Sequence, residues 1–232
     1  LKNHCFSYKM SLYQKIIQFY LMPDFQTLLI YIIPLVFAIT LHEAAHGWVA
    51  SKLGDHTARM MGRVTLDPTK HIDPIGTIAI PLVLLLSSSG FIFGWAKPVP
   101  INFNALRSGK SGMIWVALAG PAANLLMAIG WLLLMIIGIN MNIPVLIEMG
   151  RVGILVNCVL AVFNLLPIPP LDGSRVISAL LPNRLSYQYN QLEQYGLYIL
   201  LGLMFLGGFN YLVRPMVEWL LSLFQYALVI LG

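Results

Sequence analysis

Residues 27–50, TLLIYIIPLVFAITLHEAAHGWVA, decide the fold, because they place three ionisable side chains inside an apolar run long enough to cross a hydrocarbon core. His42, Glu43 and His46 spell H-E-A-A-H. On a helix, positions i and i+4 share a face, so both imidazoles can reach one metal ion. Glu43 sits about 100° further round the helix, where its carboxylate can address a water beside the metal instead of the metal. Patterns of this kind also arise by chance on exposed helices of unrelated proteins. Depth argues against chance here, since an ionised side chain near a bilayer centre costs about 2.5 kcal/mol or more. Three such groups within five residues need a partner or a role, and a metal supplies both.

The rest of the composition agrees with a membrane setting. Of 232 residues, 58% are hydrophobic and 10% charged, with a mean hydropathy of +0.78, which excludes a soluble core wrapped in a solvated surface. Apolar stretches fill most of the length, so the chain is expected to form one membrane-embedded domain over residues 1–232, with its core at about 28–180. The net charge of +5 comes from basic residues in short loops, where it sets orientation, and no nucleic-acid function is read from it. Cys5 and Cys158 form neither a disulfide framework nor a Cys-x-x-Cys pair. The basic start (Lys2, Lys9, Lys15) precedes an apolar run with no convincing cleavage site, so it is read as mature sequence, with Met10 as an alternative start.

Along the chain, residues 11–24 suit an interfacial segment, and 27–50 form the first span. A polar loop over 51–73 carries Lys52, Arg59, Arg63 and Lys70. Residues 75–100 are apolar but broken by Pro81, three serines and glycines. Further apolar stretches cover 112–139, 152–171, 193–213 and 215–231, the last two divided at Arg214 and Pro215.

A catalytic metal of the zinc type takes three protein ligands, so a third must come from elsewhere. Of nine carboxylates, only Glu43 and Asp172 lie within or at the end of an apolar span beside backbone-breaking residues. In NLLPIPPLDG, Pro167, Pro169 and Pro170 interrupt the helix and leave backbone groups at membrane depth, which is tolerated only around a cavity or a binding site. Asp172 is therefore the natural third ligand. The alternative is a proline-kinked helix end that Asp172 merely caps in solvent.

HEAAH, together with Asn164, Pro167, Pro169 and the Leu171-Asp172-Gly173 triplet, resembles the site-2 protease family of intramembrane zinc metalloproteases, which pair an H-E-x-x-H helix with a later N-x-x-P-x-P-x-L-D-G segment. FGWAKPVPIN and AGPAANLL also look like the compact members that lack a PDZ domain. The resemblance covers about 28–180. It implies His42, His46 and Asp172 as ligands of one zinc ion per chain, Glu43 as the catalytic base, and Asn164 as a contact to substrate backbone. It further implies an endopeptidase acting on transmembrane protein or peptide substrates in the lipid bilayer, in regulated intramembrane proteolysis. Two rivals from other classes are a polytopic metal or proton transporter and an inactive membrane scaffold. A transporter needs a through path and usually repeated halves, neither of which is visible, and an intact Glu43 counts against a scaffold.

The fold class expected is an all-α polytopic membrane protein with about five spanning helices. His46 and Asp172 can meet at one metal only if one intervening segment does not cross. Residues 75–100 are the best candidate for a re-entrant or partly inserted segment, possible as a β-hairpin, with six spans as the alternative. Placing the end of the HEAAH helix in the cytosol puts Lys52, Arg59, Arg63, Lys70, Lys97, Arg107, Lys110, Arg175 and Arg184 there, nine of the fourteen basic residues. Lys2, Lys9 and Lys15 oppose that orientation. The site is thus expected near the cytosolic face of a prokaryotic cell membrane.

Overall fold

A computed structural model describes residues 25–86 and 94–231. The expected interfacial segment 11–24 and the serines at 87–89 lie outside the described residues. The helices are α1 (Phe25–Lys52), α2 (Thr57–Met60), α3 (Ile80–Leu86), α4 (Gly109–Asn140), α5 (Pro144–Asn164), α6 (Asp172–Leu180), α7 (Asn183–Asn190), α8 (Gly196–Phe205) and α9 (Arg214–Leu231). Among the described residues there is no strand, and the expected all-α polytopic class holds. Among the described residues, four helices are long and apolar enough to cross a membrane: Gln26–Lys52, Gly109–Asn140, Pro144–Asn164 and Phe209–Leu231.

The bundle is built on α4 and α5, which run antiparallel and pack closely because α5 presents glycines to large side chains of α4. A Cβ on Gly153 would collide with the Trp131 ring, and one on Gly150 with Met135. In lipid this close van der Waals packing replaces the hydrophobic effect as the force between helices. Ala128, Leu132, Ile154, Cys158 and Val162 form the buried seam, which continues through Leu166, Leu171 and Leu200 to Val213 and Val217 of the C-terminal helices. Helix α1 packs against the α4 and α5 pair.

Between α1 and α4 the chain leaves and returns at one end of the bundle. Pro74–Ala79 form a π-helical turn, capped by the Asp73 carboxylate, which accepts from the amides of Ile75 and Gly76. The wide turn leads into α3, where Pro81 supplies no donor. After residues 87–93, an irregular strap over 94–102 lies back beside the point of departure. The amide of Trp95 donates to the Gly76 carbonyl at 3.0 Å, that of Lys97 to His71 at 2.9 Å, and that of Arg107 to Leu53 at 2.9 Å. A return of this kind lets His46 and Asp172 meet at one depth. A β-hairpin was expected as one form of the segment, but 94–102 form no strand, and 87–93 lie outside the described residues.

The C-terminal third departs from the sequence reading. Where one span was expected over 193–213, the chain forms the ten-residue α8 and then turns at Gly207, whose φ of +75° is open to glycine. The break falls there and not at Arg214 and Pro215. A π-helical turn over Phe209–Val213 runs directly into α9, widening the helix just where Pro215 cannot donate.

Candidate metal centre

Helix α1 brings His42 and His46 to its inner face, where they are 7% and 6% exposed. Their Nε2 atoms lie 3.1 Å apart. Asp172 approaches from the start of α6, with Oδ2 at 3.2 Å from His42 Nε2 and 3.3 Å from His46 Nε2. The structure thus brings together the three residues that the sequence pairs across 126 positions of chain (172 − 46), as one group able to hold a metal.

Local geometry explains the placement of Asp172. The proline-rich turn after α5 ends its helix at Asn164, and α6 starts at Asp172, directly over the last turn of α5. A Cβ on Gly173 would strike the carbonyls of Leu165 and Leu166, so only glycine lets α6 begin there. Tyr189 donates its hydroxyl to the Pro167 carbonyl at 2.7 Å, and Arg175 pairs with Glu193 at 2.6 Å, tying the turn and α6 to the chain that follows.

The other ring nitrogens fix how the imidazoles face. His42 Nδ1–H donates to Asn124 Oδ1 at 2.6 Å, and His46 Nδ1–H to the Val116 carbonyl at 2.7 Å. Asn124 cannot reverse its amide without loss, because its Nδ2 donates to Asn157 Oδ1 at 2.9 Å and to the Ala38 carbonyl at 3.3 Å. Asn157 is held in turn by donating to Gly153 at 2.8 Å. With the proton on Nδ1, each His turns an Nε2 lone pair inward. Two lone pairs and a carboxylate oxygen then face one another, and Asp172 Oδ2 is buried without a hydrogen-bond partner. Such a cluster repels itself unless a cation sits within it. Two imidazole nitrogens and a carboxylate oxygen, each His oriented by an outer partner, form a set that zinc takes. The donors therefore fit zinc.

Helix α4 crosses at the same level through Gly120, where a Cβ would collide with His46 Nε2 and the His42 ring. Gly120 allows the close approach of α4 to both histidines, and Asn124 supports His42. The signal was present in the sequence, since a buried asparagine within an apolar helix has to find a partner.

Glu43 is half-buried on the adjoining face of α1, and its Oε2 accepts from the Val99 amide at 2.8 Å. Asn164 is half-buried at the end of α5 and donates to the Leu160 carbonyl at 3.0 Å. The two loop histidines lie apart from the cluster. His56 meets Ser51 Oγ at 3.2 Å on the surface, and His71 is buried, with Nε2 at 3.1 Å from the Thr65 carbonyl. Near the strap, Asp55 is fully buried and accepts from the Thr57 amide and hydroxyl and from the Asn102 amide. Burial alone would raise its carboxyl, and these hydrogen bonds outweigh that and hold it below the usual range.

Long apolar helices closing over two histidines and an aspartate make a candidate metal centre inside a membrane-type helix bundle. The comparisons agree: residues 141–207 match peptidase family M50. The chain is 39% identical over 194 residues to the Bacillus subtilis (strain 168) protein named "Putative zinc metalloprotease YwhC", covering 81% of this chain and 85% of that one. It is 29% identical over 185 residues to Rip2 of Mycolicibacterium smegmatis, whose name carries the same description, covering 78% and 69%. A shorter match, 42% over 62 residues, links it to MJ0611 of Methanocaldococcus jannaschii, with 27% and 31% covered. No solved structure matches. The chain belongs to peptidase family M50, the site-2 protease family, and is a zinc metalloendopeptidase.

Proposed function

We propose that this peptidase cuts transmembrane protein or peptide substrates within the bilayer, with His42, His46 and Asp172 holding a single zinc and Glu43 acting as the base. The observation that carries the reading is the convergence of His42 Nε2, His46 Nε2 and Asp172 Oδ2 within one helix bundle. His42 precedes Lys52, the end of α1, by ten residues, or about 15 Å along the axis. A site at that depth meets a polypeptide backbone mainly where a substrate is itself in the membrane.

Zinc, when bound, supplies Lewis acidity that polarises the scissile carbonyl. Glu43 takes a proton from the attacking water and delivers it to the leaving amine, the ordinary work of a carboxylate base. Asn164, at the end of α5 beside the proline-rich turn, offers an amide to the substrate backbone. A helical substrate hides its peptide bonds in its own hydrogen bonds, so it has to unwind before cleavage. The whole chain, residues 1–232, acts as one membrane-embedded domain. Nine of fourteen basic residues on the side where α1 ends favour a site near the cytosolic face of a prokaryotic cell membrane. Transport and scaffold roles are set aside by the family.

The test is cleavage of a quenched fluorescent transmembrane-helix peptide by purified protein in detergent, comparing wild type with Glu43→Gln, with zinc measured in both. The variant is expected to keep zinc and lose about 10²-fold or more in rate. A Glu43→Gln rate within about tenfold of wild type refutes the base assignment.

A further inference from the structure

The strap over 94–102 crosses α1 at the level of Glu43, and its sequence there is Lys97-Pro98-Val99-Pro100. Prolines carry no N–H, so Val99 is the one backbone donor between Pro98 and Pro100, and it donates to Glu43 Oε2. Pro98 and Pro100 fix their own φ, and each restricts the residue before it to extended conformations. The donor is therefore presented on a stiff segment. Among the described residues, the hydrogen bond from Val99 is made to Oε2, so one carboxylate oxygen is held in place.

Besides the bond from the Lys97 amide to the His71 carbonyl, three contacts keep this segment in place. The Val99 side chain is buried against α1, where a Cβ on Gly47 would lie 3.2 Å from Val99 Cγ1. The buried Arg63 guanidinium donates through Nη2 to the carbonyls of Lys97 at 2.8 Å and Pro98 at 3.3 Å, the two that immediately precede the Val99 amide. Further along, the Asn102 amide is bound by Asp55 at 2.7 Å.

We propose that the Val99 amide orients Glu43 for proton transfer, and that Arg63 is a positioning residue that acts through the strap. The inference rests on the reading of Glu43 as the base. A glutamate has three rotatable bonds, and a single fixed donor selects among its rotamers before substrate arrives. The hydrogen bonds of Arg63 and Val99 go to the strap and to Glu43, not to His42, His46, Asp172 or Asn124, so their loss is expected to leave zinc bound.

The experiment uses the full chain, zinc-loaded, and the same quenched transmembrane-helix peptide. Val99→Pro removes the donor at a position already confined to extended backbone, whereas Val99→Ala removes the packing and keeps the donor. Val99→Pro is expected to lower kcat about tenfold or more, with KM and zinc content unchanged, as for loss of a hydrogen bond to a charged group. Val99→Ala is expected to retain more kcat than Val99→Pro, because it trims packing and keeps the donor. Arg63→Met is expected to follow Val99→Pro, and Arg63→Lys, which retains a cation, to recover part of kcat. Should Val99→Pro purify without zinc, the Arg63 pair decides alone. A kcat within about threefold of wild type in Val99→Pro or Arg63→Met overturns the proposal, as does a change in KM only. A rise in kcat overturns it too, making the strap a lid. Glu43→Gln is run in parallel: if it is active, the base reading fails, and if it is inactive beside a fully active Val99→Pro, only this inference fails.

Discussion

Replacing Asn124 with leucine tests how far the orientation of His42 governs metal binding. Asn124 is fully buried, so water cannot stand in for the lost amide. The change deletes the acceptor of His42 Nδ1–H at 2.6 Å and the donors to Asn157 Oδ1 at 2.9 Å and the Ala38 carbonyl at 3.3 Å. Only the first of these reaches the metal. Without it, nothing holds the proton on Nδ1 or the ring plane toward Asp172. Loss of such an outer partner costs about 10- to 100-fold in metal affinity, or about 1.4 to 2.7 kcal/mol. Asn124→Asp keeps an acceptor for His42 while losing the two donors, so it should bind zinc more tightly than the leucine variant. Zinc affinity is read by chelator competition on purified protein, with helical content by circular dichroism as the control for folding. A folded Asn124→Leu protein that binds zinc within about threefold of wild type would refute the argument, leaving helix packing alone to organise the donors.

His42→Ala, His46→Ala and Asp172→Ala should each lose most of their zinc on metal analysis, while His56→Ala and His71→Ala retain it. Stoichiometric zinc in the Asp172 variant would remove that residue from the ligand set. For pH, the depressed carboxyl of Asp55 contributes stability that is present above its unfolded value of about 3.9 and is lost as pH falls through its lower folded value. The stability gap between wild type and Asp55→Asn, measured by thermal unfolding in detergent, should therefore close on acidification below about pH 4, and a gap that widens there refutes the assignment. After replacement of Cys5 and Cys158, cysteines placed singly at Asp73, Lys97 and Arg184 should all react with an impermeant thiol reagent from one side of sealed vesicles. Labelling of Asp73 and Lys97 from opposite faces contradicts the return of the chain to the end of α1.

What the sequence made legible was whatever depends on local spacing or on chain breakers. H-E-A-A-H declares itself through the helical period, and Pro167, Pro169, Pro170 and Gly173 announce where α5 must end and α6 begin. The expectation that the segment near 75–100 does not cross came from a global demand, that His46 and Asp172 share one depth, together with a run broken by Pro81, serines and glycines. The partners that orient the donors were illegible for a physical reason. Val116 supports His46 through a carbonyl and Val99 binds Glu43 through an amide, and every residue but proline has both groups. Asn124 was visible as a polar residue in an apolar helix, yet its partner depended on the register between α1 and α4, which Gly120 sets by packing against the histidines. The misplaced boundary near 214 has a similar origin. An Arg-Pro pair reads as a stop, but the π-helical turn over Phe209–Val213 accommodates the proline, and the chain breaks instead at Gly207, where the left-handed φ costs least. In a bundle held by van der Waals packing between helices, glycines set both where helices stop and how closely they approach. The candidate ligands can be read from the chain, but the approach that turns them toward one another is fixed at Gly120 and Gly173.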